Sequence, residues 1–419
     1  MKKAVLFFIV FLSLSINAQD VQKLYDNRDF IQISNLNIDN WEADAFSVSY
    51  IKANTYNAMA RCEESNKEIE FLLTTNEAKE NPYFMIELLR LQADNYAKMF
   101  QYKQAAESYK KTIDNYGNLL GETAILYQNT VQRFRALSET EPTQIFIPHD
   151  TKIQMTSDKK GLPHVQVRTP KDTVLLGFDT GAGLSVVTKS VASRLGIKIL
   201  VDSIIAGGAA ANTEYMSIGV ADTLYLGDIL YKNVVFGIFE DEKLTFSEHD
   251  YMINGTFGLP EIKALSSMKI YKNNILEIYK NTEKHKSNIM FSGTQNIIVQ
   301  ANDSLLFLLD TGANDTSLSI NYYNKNKEYV DKAGEFTTKI VHGMGGSKEF
   351  SIYKLKEFPI KIDTSTTILP EIPNFTVPTS VIWYEYDGTL GQDVILKYDY
   401  MLLDFKNMYL SLENETQSK

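Results

Sequence analysis

Hydrophobic and polar positions follow two different rhythms along this chain. From Asp20 to about Glu139 the apolar residues recur at helical spacing, as in ELLRLQADNYAKMFQYKQAAESYKKTI (87–113). Pro82 and Gly117 are the main punctuation there. Beyond residue 150 the pattern changes to short alternating or wholly apolar runs: KIQM, HVQVRT, TVLLGF, VVFGIF, NIIVQ, SLLFLL, TTKIV and FPIKI. Runs of that length and composition predict strands. Between the two regions EPTQIFIPHD (141–150), with two prolines and no helical stripe, reads as a linker. The expected fold is therefore multidomain: an all-α part over 19–140, then an all-β part over 151–415.

The helical part repeats itself at an offset of 40 residues. Ala53, Tyr56 and Met59 fall on Ala93, Tyr96 and Met99, and Ser65 and Ile69 fall on Ala105 and Tyr109. The spacing resembles the tetratricopeptide repeat, in which small residues let two antiparallel helices approach and aromatics fill the gap. The fullest copy, 89–117, has Thr112 where a small residue is usual and Gly117 where proline is usual. Such pairs stack into a solenoid whose concave face can hold a protein partner. A plain helical bundle is the alternative.

The β part is duplicated as well. VLLGFDTGAG (174–183) and LLFLLDTGAND (305–315) both drive an apolar run into an aspartate, Asp179 and Asp310, 131 residues apart. Burying a carboxylate costs several kcal/mol unless it is bonded or neutralised, so the repetition calls for a reason. Each half then carries a glycine-rich stretch, IIAGGAAAN (204–212) and VHGMGGSKEF (341–350). Each reaches a further apolar–Gly pair, INGTFGLPEI with Gly258 and YDGTLGQDVI with Gly391, 79 and 81 residues past the aspartates. Each closes on a paired-strand pattern, MKIYKNNILEIYK and YMLLDFKNMYLSL. A lone Asp-Thr-Gly arises by chance in roughly one chain in ten of this length; two copies in matching surroundings do not. The halves, 151–283 and 284–415, are two copies of one plan, and pseudo-twofold symmetry is expected.

Composition narrows the function. A net charge of −10 argues against nucleic acid or an anionic membrane surface as partner. The single cysteine, Cys62, allows no intramolecular disulfide and reads as a small core residue. The five histidines show no paired metal-ligand spacing, and there is no Gly-x-Ser-x-Gly elbow and no phosphate-binding loop. Residues 1–18 are laid out as a secretory signal peptide, with a basic start, an apolar stretch too short to span a bilayer, and SINA at the end. An exported protein, periplasmic or secreted, is expected, with no cofactor, no metal and no membrane span.

On these motifs the region 150–415 resembles the pepsin/retropepsin family of aspartic proteases. The resemblance rests on Asp179-Thr180-Gly181-Ala182, Asp310-Thr311-Gly312-Ala313, Thr256-Phe257-Gly258 and Thr389-Leu390-Gly391. It implies that Asp179 and Asp310 are the catalytic pair, and that Thr180 and Thr311 bond across to the opposite loop. Gly181 and Gly312 would admit backbone donors to the carboxylates. Both halves lie in one chain, so it implies an active monomer acting on peptides or proteins. Two carboxylates in one buried site share a proton, which reconciles them with the apolar strands that carry them. The glycine-rich stretches would be flaps, with Gly207, Gly208, Gly343, Gly345 and Gly346 as candidate hinges. GQDVI follows the retropepsin Gly-x-Asp pattern, whereas GLPEI has Pro260 where Asp393 stands. A non-catalytic peptide-binding protein using the same cleft is the alternative, and an inhibitory prosegment is a second reading of 20–140.

Overall fold

The computed structural model describes residues 18–36, 41, 43–207, 213–246, 251–280, 282–293, 296–343, 346–378 and 386–415. Residues 1–17, which hold nearly all of the expected signal peptide, lie outside them. Helices come first: α1 (Ala18–Asp26), α2 (Phe30–Ser34), α3 (Ala45–Ala58), α4 (Cys62–Leu72), α5 (Asn76–Glu80), α6 (Pro82–Lys98), α7 (Tyr102–Tyr116) and α8 (Thr123–Ser138). Local chemistry sets their ends. The Asp44 carboxylate accepts the Ser47 N–H at the start of α3, and Asn81 caps α6 with Pro82 at its first position. No helix among the described residues is long and apolar enough to cross a membrane.

The 40-residue offset reappears in the backbone. At the α3–α4 turn Ala60 takes φ 56° and Arg61 N–H donates to Tyr56 O at 2.8 Å. At the α6–α7 turn Phe100 takes φ 59° and Gln101 N–H donates to Tyr96 O at 2.8 Å. Ala53 and Ala93 are both fully buried. A polar seam pins the pairs together: Asn95 Nδ2 donates to Ser65 Oγ and to Asn66 Oδ1, each at 2.8 Å, and Asn57 Nδ2 donates to Asn95 Oδ1.

A mostly β region follows, of the kind expected for an aspartic-protease-like fold. Strand Gln144–Phe146 falls inside the segment read as a linker and pairs antiparallel with Ile229–Phe239, so this stretch is already part of the sheet. Strand Thr173–Phe178 lies between Pro163–Arg168, antiparallel, and Gly255–Phe257, parallel; the latter pairs antiparallel with Ser185–Thr188. The same arrangement surrounds Leu305–Leu309, with Asn296–Ala301, Gly388–Leu390 and Ser317–Leu318 in the corresponding places. A further sheet joins the halves where Ser267–Tyr271 pairs antiparallel with Tyr400–Asp404.

The two strands that lead to the aspartates differ in burial. Leu306 to Leu309 are buried on both faces, as the unbroken apolar run predicts. In Thr173–Phe178 burial alternates instead, and Leu175 is 41% exposed because one face of that sheet stays open. One apolar core runs across both halves and takes in Ile31, Ala58 and Met59 from the helices. A second joins Ala105, Phe134 and Leu137 of α7 and α8 to Ile204, Met216 and Phe239 of the first half. The helices thus pack directly on the sheets.

Candidate active site

Strands Thr173–Phe178 and Leu305–Leu309 end side by side, and the turns that follow interlock. Thr180 N–H donates to Thr311 Oγ1 at 3.0 Å, and Thr311 N–H donates to Thr180 Oγ1 at 3.1 Å. Each hydroxyl also donates onward, Thr180 Oγ1 to Leu309 O at 2.8 Å and Thr311 Oγ1 to Phe178 O at 2.7 Å. Four bonds between fully enclosed groups tie one loop to the other. They set the separation of the two aspartates from below.

Within each loop the carboxylate accepts from its own backbone. Asp179 Oδ1 takes the N–H of Gly181 at 2.8 Å and of Ala182 at 3.1 Å, and Asp310 Oδ1 takes that of Gly312 at 2.9 Å. The glycines are required by close approach. A Cβ at Gly181 would lie 2.5 Å from Asp310 Cγ, and one at Gly312 would lie 2.7 Å from Asp179 Cγ. Each carboxyl group therefore lies against the glycine of the opposite loop, which brings the two acids face to face. Burial raises both above the ordinary carboxyl range. The charge of Asp179 raises Asp310 further, while backbone amides pull both down, those of Gly181 and Ala182 at Asp179 and those of Gly312 and Ala313 at Asp310. Two carboxyls this close in a buried site titrate as one pair.

Beneath each loop sits the apolar–Gly pair. Asp179 N–H donates to Phe257 O and Asp310 N–H to Leu390 O, both at 3.1 Å. Gly258 N–H donates to Ser185 Oγ at 2.8 Å, and the Ser185 hydroxyl in turn donates to Glu261. Gly391 N–H donates to Thr316 Oγ1 at 3.0 Å, and Thr316 donates to Asp393 Oδ1 from both its hydroxyl, 2.6 Å, and its amide, 2.9 Å. The first half therefore does have its acid. Glu261, one position later and one methylene longer, does what Asp393 does, although Pro260 occupies the expected place. Ser185 and Thr316, each six residues past its aspartate, are hydroxyl residues whose matched spacing was the available signal. Burial pushes Glu261 up to about 7, and Asp393, half-buried, is raised as well.

The glycine-rich stretches close two hairpins. Gly207 pairs with Thr213, and Gly343 pairs with Gly346; Gly208 and Gly345 lie outside the described residues. Two contacts that the sequence does not reveal hold these hairpins. Asn129 of α8 brackets Ile205, accepting its N–H at 3.0 Å and donating to its carbonyl at 3.2 Å. In the other half Lys339 Nζ reaches Asp315 Oδ2 at 2.6 Å, five residues past Asp310.

Residues 165–260 match the family model for aspartyl proteases, a stretch that holds the first Asp-Thr-Gly loop and Gly258. This segment resembles an aspartyl protease. Among solved structures the chain is similar to conglutin gamma, a basic 7S globulin from lupine seeds, at 10% identity and a TM-score of 0.40, covering 64% of this chain and 96% of that one. It is similar to the basic 7S globulin from soybean at 10% identity and 0.39, covering 64% and 95%. It is also similar to a retropepsin-like aspartic protease from Rickettsia conorii at 16% identity and 0.22, covering 32% and 93%. No curated protein matches the sequence.

Proposed function

We propose that the chain is an exported aspartic endopeptidase, active as a monomer, in which Asp179 and Asp310 hydrolyse peptide bonds through one activated water. The observation that carries this reading is the pair of carboxyl groups, each set against the other loop's glycine, above the reciprocal Thr180–Thr311 bonds. Asp179, ionised, takes a proton from the water as its oxygen attacks the peptide carbonyl carbon. Asp310 gives its proton to the carbonyl oxygen, so the intermediate is a neutral gem-diol. Asp179 then passes its proton to the amide nitrogen, the C–N bond breaks, and Asp310 recovers a proton from the remaining hydroxyl. The bulk charge balance is unchanged over the cycle.

In this reading residues 151–283 and 284–415 are pseudo-twofold lobes, the hairpins ending at Gly207 and Gly343 are flaps, and the helices form a tetratricopeptide-like domain. The core shared between α7, α8 and the first half favours a permanent domain over a discarded prosegment. The test is incubation of the exported form with a peptide library across pH, beside Asp179→Asn and Asp310→Asn. Cleavage by the parent and by neither variant is expected, with inhibition by a statine-type peptide. Saturable peptide binding without any cleavage would make the protein a binding module instead.

A further inference from the structure

A cavity of about 90 Å³ lies at the seam between the helices and the β region, and neither aspartate lines it. Lys98, Arg133, Lys263 and Phe291 line it together with Leu184 and Glu261. Among the described residues none of the three cations forms a salt bridge. Arg133 Nε is buried with no hydrogen-bond partner, its guanidinium lying 4.7 Å from the Phe134 ring centre. The Lys263 and Lys98 ammoniums lie 5.0 and 5.9 Å from the centre of the one Phe291 ring, and Lys98 Nζ also donates to Asn57 O and Oδ1 at 2.9 Å. The carboxylates nearby do not settle this charge. Asp94, which acts on Lys98 and Arg133, also faces Arg90, and its Oδ2 is itself unbonded. Glu261 is held by Ser185 and pushed by burial towards its neutral form.

The three cations are partly buried with no anion among the described residues bonded to them, and an anion placed in their midst would offset the cost of enclosing them. At about 10–15 Å³ per water-sized probe, the space takes roughly six to nine such groups. Leu184, Phe100, Phe134 and Phe291 make much of the rest of the wall apolar. We propose that this seam cavity is a binding site for a small apolar monocarboxylate, with Arg133 and Lys263 holding the carboxylate and the aromatic wall holding the hydrocarbon tail. Glu261 belongs both to this wall and to the support under Gly258, so the bound anion touches the chain of bonds below Asp179. The binding itself does not depend on the protease reading.

Titration calorimetry of the full chain at constant ionic strength tests it, with butyrate as probe and butyramide and phosphate as controls. Saturable butyrate binding is expected, at least tenfold tighter than butyramide or phosphate. Arg133→Gln should weaken it at least tenfold while leaving the ligand-free melting temperature within a few degrees. Lys263→Gln gives the same reading should Arg133→Gln fail to fold. No saturable binding, equal binding of butyramide or phosphate, or butyrate binding untouched by the substitution would each overturn the site.

Discussion

Beneath the first Asp-Thr-Gly loop stands Glu261, fully enclosed and held by one hydroxyl, while beneath the second stands Asp393, half-buried and held by a hydroxyl and an amide of Thr316. The two acids occupy one structural role with different electrostatics. Burial raises both, opposed at Asp393 by two donors from Thr316 and at Glu261 by the Ser185 hydroxyl, and Glu261 is pushed up to about 7. The hairpins differ in the same sense. Asn129 of α8 holds the first through two bonds to Ile205, whereas an ion pair within the second half, Lys339–Asp315, holds the other. At these two points the second half relies on its own residues, whereas the first relies on the helices.

The largest effect should be the same in both halves. Gly181→Ala and Gly312→Ala each drive a methyl group into the opposite carboxyl, so turnover of a peptide substrate should fall by more than about a hundredfold in either. A large loss in one variant only would mean that the loops are not equivalent. Next, Thr180→Ala and Thr311→Ala each remove a hydroxyl that both accepts and donates across the interface. Each should cost about 2–4 kcal/mol in chemical denaturation, by equal amounts.

The acids should then separate the halves. Glu261 has a folded value of about 7 against an ordinary 4.5, so the folded state keeps a proton that the unfolded chain has released. Stability from this group is present below pH 4.5 and is lost as pH rises towards 7, by as much as ~3 kcal/mol. Glu261→Gln should flatten that part of the decline between pH 4.5 and 7, and Asp393→Asn should change the slope less. Equal changes of slope would erase the distinction drawn between them.

The smallest effects concern the hairpins. Asn129→Ala should speed amide exchange at Ile205 by about tenfold, the equivalent of one or two lost hydrogen bonds. Lys339→Ala removes an ion pair with an exposed partner, worth under ~1 kcal/mol, and should barely alter exchange in its own hairpin.

What could be read from the sequence was what the chain says twice. Asp179 and Asp310, their Thr and Gly neighbours, and Gly258 and Gly391 recur at nearly equal spacing, and each repeat supports the other. Glu261 escaped because a shift of one position hides it behind Pro260, although a longer side chain restores the reach. Asn129 escaped because its partner is a backbone 76 residues away, and nothing in a side-chain pattern marks such a contact. Strand Gln144–Phe146 is too short to outweigh the prolines on either side of it. Leu175 looked as buried as Leu308, because an apolar run does not say which face of its sheet another layer will cover.

On the proposed function the two aspartates work as one pair holding one proton. The pH dependence of kcat/KM on a single cleaved peptide, measured from pH 2 to 9, tests it most directly. A bell-shaped curve is expected, with limbs that belong to the pair. Neither Ala182 nor Ala313 can donate a hydroxyl to the charged form, and burial raises both carboxyls, so the optimum should lie in the mildly acidic range. A rate that climbs steadily into the alkaline range, or a bell that survives Asp310→Asn, would contradict it.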